Sequence, residues 1–311
     1  LTVLFVSVGA VGHVNSSIGV AETLQSRGHR IVFAVDQSFK GYFMKRGFEE
    51  EIIEKQLSPE EERDPSGFFI KILIENGILD DHSPVDKVKM WARCFKPVTR
   101  NEDEILTKII DRLKPDVIVN DFFFAPSISK SGIPWISLIS IQILTNIDDP
   151  RTPPKWLGLP ADDSSEWTKY RELVKGAYDF LRKKIYHLFD DEKPFPEDRF
   201  IESPYLNIYS YPLELDYIDQ RPLPTQPKWQ QFDSFMRMKE EEFDLPEKLL
   251  HKQGKLIFLS MGSLGSANVQ LVKRLINLVA DLPFRFIVSK GKLKMTNFKK
   301  IYKYLITFNY R

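Results

Sequence analysis

Three short stretches of this sequence hold residues able to do chemistry. His13, preceded by Gly12, comes just after the apolar run Leu1-Thr2-Val3-Leu4-Phe5-Val6-Ser7-Val8. Asp121 closes a second apolar run, Asp116-Val117-Ile118-Val119-Asn120. Gly262-Ser263-Leu264-Gly265-Ser266 follows a third run at 255–260. Histidine titrates nearest neutral pH and is the natural side chain to take a proton from a hydroxyl. In open α/β sheets, ligands bind at the carboxyl ends of strands, the position that both His13 and Asp121 occupy. A glycine- and serine-rich strand-to-helix turn offers backbone N–H groups to phosphates. Taken singly, each stretch has a plainer reading. His13 reads as a loop histidine capping a backbone group, Asp121 as the N-cap of a helix, and 262–266 as an ordinary turn.

The elements that must position these residues are legible from periodicity. The β-branched and aliphatic run at 1–8 predicts a strand buried on both faces of a parallel sheet. Gly9 and Gly12 then allow a loop that carries Gly12-His13. Asn15-Ser16-Ser17 supplies N-cap oxygens for a helix whose apolar face is Val14, Ile18, Ala21 and Leu24. Gly28 suits a left-handed C-cap, and 30–35 is a second strand, completing one βαβ unit. Further on, the pattern predicts a short helix at 37–46 ending at Gly47 and a strand at 49–53. A solvated acidic loop at 58–64 follows, then helices at 68–74, 87–95 and 102–113, the last stopped by Pro115. Strands are predicted at 133–139 and 205–211, a helix at 166–188, and irregular chain at 148–160 and 212–227. A second βαβ start is predicted from a strand at 255–260, a helix at 268–279 and a strand at 284–289.

The fold class expected is α/β with two Rossmann-like domains and parallel sheets, the second incomplete. The domains expected are 1–234, a linker at 235–254 and a partial second domain at 255–311. The chain has 311 residues, 42% hydrophobic and 28% charged, with a formal net charge of +1. That balance gives no argument for nucleic acid or an anionic membrane surface. The single cysteine, Cys94, excludes an internal disulfide, fits a reducing compartment and is expected to be a buried thiol. No stretch approaches the ~20 apolar residues of a membrane span, and no His/Cys/Asp cluster has metal-ligand spacing. The expected location is cytoplasmic, or the endoplasmic reticulum if a leader and a C-terminal anchor are missing from a chain that begins without Met. The stretch 292–311 has no acid, Gly, Pro, Ala or Val. It is expected to be a translated non-coding ending, with a basic amphipathic surface helix as the alternative.

Val8-Gly9-Ala10-Val11-Gly12-His13, Asp116-Val117-Ile118-Val119-Asn120-Asp121 and Phe258-Leu259-Ser260-Met261-Gly262-Ser263 occur in one order, with separations that match a known family. Together they resemble the UDP-dependent glycosyltransferases of the GT-B fold, over roughly residues 1–290. Tyr211-Pro212 and Phe232-Asp233-Ser234 are similar to arthropod and microbial members. The resemblance implies inverting transfer of a sugar from a UDP-sugar to the hydroxyl of a small lipophilic acceptor, a detoxification chemistry, without a cofactor or metal. It assigns His13 as general base and Asp121 as the partner of its other ring nitrogen. Gly12, Gly262, Ser263 and Ser266 would serve the donor, and Phe122 and Phe123 the acceptor, although core packing is the expected use of at least two of Phe122, Phe123 and Phe124. The apolar, Pro-rich stretch 148–160 favours a greasy acceptor.

Two departures matter. Ser16 stands where the family often has Pro, and nothing after Lys290 matches the family's donor signature. Weak or absent turnover is therefore expected, and the alternative is a non-catalytic relative that binds a small lipophilic ligand. A nicotinamide-dependent dehydrogenase fits poorly. Asp36 ends the second strand as that fingerprint requires, but Val11 and Val14 occupy the positions of its second and third glycines.

Overall fold

The computed structural model describes residues 1–55, 59, 75–78, 82–141, 143–190, 192, 201–238, 244–250, 253–265, 268–289 and 305–308. The chain divides into two compact units, Leu1–Gln56 with Ser83–Glu240, and Leu57–His82 with Glu241–Arg311. The helix expected at 68–74 and most of the acidic loop at 58–64 lie outside the described residues.

In the first unit β1 (Thr2–Ser7) leads into α1 (Val11–Ser26), and β2 (Arg30–Asp36) runs parallel to β1. β3 (Glu49–Ile53) falls where the sequence places it. The helix expected before it is instead two 3-10 turns, Gln37–Phe39 and Met44–Arg46, with Gly47 left-handed after them (φ 81°). Then come α2 (Pro84–Cys94), α3 (Arg100–Leu113), β4 (Val117–Asp121), α4 (Pro126–Lys130), β5 (Trp135–Ile139), α5 (Trp167–Tyr186) and β6 (Leu206–Ser210). β7 (Lys228–Phe232) was not expected. Its sequence, Lys-Trp-Gln-Gln-Phe, is too polar to register as a buried run, and it forms the sheet's edge, where polar residues are favoured.

The sheet is seven-stranded in the order β3-β2-β1-β4-β5-β6-β7, all neighbours parallel. Successive β1 residues serve opposite faces. Leu4 and Val6 pack with Ile118, Leu106, Ile109 and Ile110 on one side. Val3 and Phe5 pack with Phe33, Val14, Ile18 and Ala21 on the other. A sheet buried on both faces is why these strands read as continuous apolar runs. α3 starts at a capping box, Thr99 with Glu102, and ends at left-handed Lys114 just before Pro115.

Three local expectations are corrected. α1 begins at Val11, with Ala10 as N-cap and no side-chain cap. His13 therefore stands in the first helical turn, not in a loop. Asn15, Ser16 and Ser17 lie inside the helix, and Ser16 Oγ donates back to the Gly12 carbonyl (3.3 Å). The buried face of Val14, Ile18 and Ala21 holds the helix, as tertiary packing generally outweighs caps. Phe235 packs against the α1 side of the core. A Cβ on Gly19 would press on the Phe235 and Met236 carbonyl oxygens, so glycine permits this close approach. Residues 235–238 thus belong to the first unit's packing rather than to a free crossing. Cys94, expected to be buried, is half-buried at the end of α2.

The stretch 148–160 is irregular as expected, but its apolar residues turn inward. Leu157 is buried with Val85, Val88, Val174 and Tyr178, and Trp156 packs on that cluster. Arg171 of α5 pins the loop, donating to the Asp149 and Thr152 carbonyls at 2.6 and 2.5 Å.

In the second unit α6 (Glu247–Leu250) precedes β8 (Leu256–Leu259), α7 (Gly262–Gly265), α8 (Val269–Val279), β9 (Arg285–Ser289) and β10 (Leu305–Phe308). These three strands are parallel in the order β10-β9-β8. Asn268 caps α8 through the Leu271 N–H (2.9 Å). Val272 and Ile276 pack on Phe286 and Val288. Four residues of the unusual last stretch form a strand here rather than part of an amphipathic helix. Its remaining residues lie outside those described.

Candidate active site

The strand order reverses between β1 and β4. The chain winds outward from β1 through β2 to β3, then returns to place β4 on β1's other side. Ligands bind in the crevice at such a switch point. In register, Ser7 at the end of β1 pairs with Asp121 at the end of β4. His13, one helical turn into α1, and Asp121 thus share the carboxyl end of two adjacent strands.

The side chains meet there. His13 Nδ1 lies 3.0 Å from Asp121 Oδ1. Asp121 is 1% exposed and His13 17% exposed at the side chain. Among the described residues Nδ1 is the only nitrogen of this ring that makes a hydrogen bond, which leaves Nε2 for a ligand. Burial pushes the Asp121 carboxyl up from its ordinary value, while hydrogen bonds with His13, Ser140 and Ser7 pull it down.

Sequence reasoning missed two supporting residues. Ser140, just past β5, places its Oγ 2.7 Å from His13 Nδ1 and 3.0 Å from each Asp121 oxygen. A serine after a strand carries no signal that singles it out. Asn120 Oδ1 accepts from the Phe123 N–H (3.2 Å), closing a turn straight after β4; a side chain that bonds its own backbone here is a common turn signal. Within that turn Phe122 takes a left-handed backbone (φ 57°), unusual for a bulky residue. Its ring centroid stands 5.9 Å from that of His13.

The remaining expected residues divide between the two units. Phe123 and Phe124 are buried in the core beside Ile128 and Trp135, so Phe122 alone of the three borders the histidine. Gly12 is exposed, and a Cβ there would meet nothing within 4 Å. Gly262, in the second unit, is left-handed (φ 63°), and its N–H already donates to Ser260 Oγ (3.3 Å). Ser263 lies in α7, and Ser266 lies outside the described residues. Of the other histidines, His82 and His187 are exposed, His29 is half-buried, and His251 lies outside the described residues. Among the described residues no group of three or more His, Cys, Asp or Glu is placed to hold a metal ion. Among them, too, no helix is long and apolar enough to cross a membrane.

No family model and no curated protein sequence matches this chain. Solved structures do. The glycotransferase of kitacinnamycin superposes with a TM-score of 0.56 at 15% identity, over 98% of this chain and 70% of that one. The glycosyltransferase VinC, solved with dTDP, gives 0.53 at 11% identity, over 99% and 71%. Arabidopsis thaliana UGT89C1, solved with UDP-L-rhamnose, gives 0.52 at 13% identity, over 99% and 68%. Likeness at these identities establishes the fold. It is the α/β GT-B fold of glycosyltransferases, with parallel Rossmann-like sheets in two units.

Proposed function

We propose that this chain is a UDP-dependent glycosyltransferase that moves a sugar, with inversion, to a hydroxyl of a small lipophilic acceptor. The observation that carries the reading is the His13–Asp121 pair at the switch point of the first sheet, with Nε2 left open. His13 Nε2 takes the acceptor's proton as its oxygen bonds to the anomeric carbon. The bond from that carbon to the donor's phosphate oxygen breaks, and the nucleoside diphosphate leaves with the electron pair. Asp121 balances the imidazolium through Nδ1–H, the part the acid plays in a hydrolase triad. General-base help of this kind is worth on the order of 10²–10⁴-fold. Phe122 supplies an apolar flank beside the base. In the second unit Gly262, Ser263 and Ser266 are the donor-side candidates, with the phosphates received by backbone N–H groups other than that of Gly262. Two of these structural neighbours were solved with a UDP-sugar and with dTDP bound, which supports a nucleotide-sugar donor.

The sequence after Lys290 lacks the donor signature of the family it resembles, so slow turnover belongs to this proposal. Acceptor binding without transfer is the second reading. Incubation with UDP-glucose and a phenol, followed by mass spectrometry, tests both. The expected result is a glycoside that the His13→Ala variant fails to make. Phenol binding without product supports the second reading, and neither binding nor product removes both.

A further inference from the structure

Among the described residues Ser140 is the one polar side chain that touches both members of the pair. Resting on the glycosyltransferase reading of this site, we infer that Ser140 is a positioning residue whose hydroxyl fixes the proton of His13 on Nδ1 and so keeps Nε2 free as the base. The topology brings it there. β5 pairs with β4 so that Leu138 stands beside Asp121. Two residues further along, Ser140 projects past the strand end where the aspartate sits. Three polar groups thus come from the carboxyl ends of three neighbouring strands.

Counting protons decides which arrangement holds. The carboxylate of Asp121 only accepts, and the Ser140 hydroxyl has one hydrogen to give. With the proton on Nδ1, the imidazole donates to Asp121 Oδ1 across 3.0 Å. Ser140 donates to the carboxylate at 3.0 Å, and its lone pair takes a share of the same Nδ1–H at 2.7 Å. Every donor has an acceptor. With the proton on Nε2 instead, the Nδ1 lone pair faces Asp121 Oδ1 with no hydrogen between them. Ser140 then has to turn away from the carboxylate to serve Nδ1, and the buried carboxylate loses the donors from His13 and Ser140, keeping that of Ser7. Such loss is costly because Asp121 is almost fully enclosed. Removing the hydroxyl takes one donor from the carboxylate. It also favours a competing arrangement in which Asp121 takes up a proton from solvent and donates it to Nδ1, while the imidazole's own proton sits on Nε2.

The test is the tautomer of His13, read by two-bond 1H–15N correlation on the full chain with labelled histidine. The His13 signals are assigned by their loss in the His13→Gln variant among the five histidines. The wild-type chain is expected to show Nδ1–H as the dominant form. Ser140→Ala is expected to move the balance toward Nε2–H by roughly 10- to 100-fold, the range set by one hydrogen bond to a charged group. Wherever transfer is measurable, kcat falls by a similar factor with little change in the acceptor KM. Ser140→Thr, which keeps the hydroxyl, restores both readouts, and Ser140→Cys, a weaker donor, falls between. An unchanged tautomer in folded Ser140→Ala, or no restoration by folded Ser140→Thr, overturns the inference. If Ser140→Ala does not fold, the Thr and Cys pair decides it in the same way. The spectrum needs no substrate. A shifted tautomer with no product from any variant therefore sinks the glycosyltransferase reading and leaves the role of Ser140 standing.

Discussion

Replacing Asp121 with asparagine is expected to move activity and stability in opposite directions. The side chain is 1% exposed, and burial is the largest influence on its carboxyl, which titrates above its ordinary value despite donors from His13, Ser140 and Ser7. The folded value thus lies above the ~3.9 of an unfolded aspartate. The folded state holds the proton more tightly, so stability falls as pH rises from about 4 through the folded value. Above that window the wild-type protein bears the whole cost of a buried charge, and Asp121→Asn does not. For catalysis the same change removes the negative charge 3.0 Å from the ring nitrogen that balances the imidazolium. It also puts a donor where only acceptors stood, so the amide is able to stabilise the wrong tautomer. Loss of a triad aspartate costs on the order of 10⁴-fold in kcat in a serine protease, and roughly 10²–10⁴-fold is expected here. Thermal unfolding from pH 4 to 8 and transfer from UDP-glucose to a phenol are the two assays. A variant that melts below wild type at pH 7 refutes the electrostatic argument. A folded variant with kcat within threefold of wild type refutes the role of Asp121.

Three further outcomes follow from packing and charge. Gly19→Ala drives a methyl against the carbonyl oxygens of Phe235 and Met236, so residues 235–238 must retreat and the Met238 N–H bond to Glu22 is strained; a loss of about 1–3 kcal/mol in urea unfolding, with faster proteolysis near 235–238, is expected. Thr99→Ala opens the capping box of α3, where Thr99 Oγ1 accepts from the Glu102 N–H at 3.2 Å; calorimetry should show about 1 kcal/mol lost, or about 2–4 °C. Arg151 holds the Asp149 carboxyl down at about 2, so this pair's stabilisation is present above pH 4 and is lost as pH falls toward 2. The difference in melting temperature between wild type and Asp149→Asn should therefore shrink across that acid window.

Much of this protein follows from local pattern. The apolar runs around Leu4, Val32, Ile118 and Phe286 announce strands buried on both faces, because a parallel sheet covered by helices leaves no polar side to alternate with. Gly28 and Pro115 mark helix ends by backbone sterics alone. The residue types at 13 and 121, each beside a strand end, were legible for the same reason. β7 escaped because a polar edge strand has no period to detect, and the start of α1 was misplaced because packing of Val14, Ile18 and Ala21 outweighed the capping side chains.

What local pattern does not carry is which strand lies beside which. Only the reversal of strand order puts β4 against β1, and with it Asp121 within 3.0 Å of a histidine 108 residues away. The burial of that carboxylate, the hydroxyl of Ser140 on both partners and the left-handed turn that aims Phe122 arise from the same assembly. Side-chain type and spacing are properties of neighbours along the chain. Enclosure, charge balance and the choice of a proton's position belong to neighbours in space, which the folded sheet alone selects.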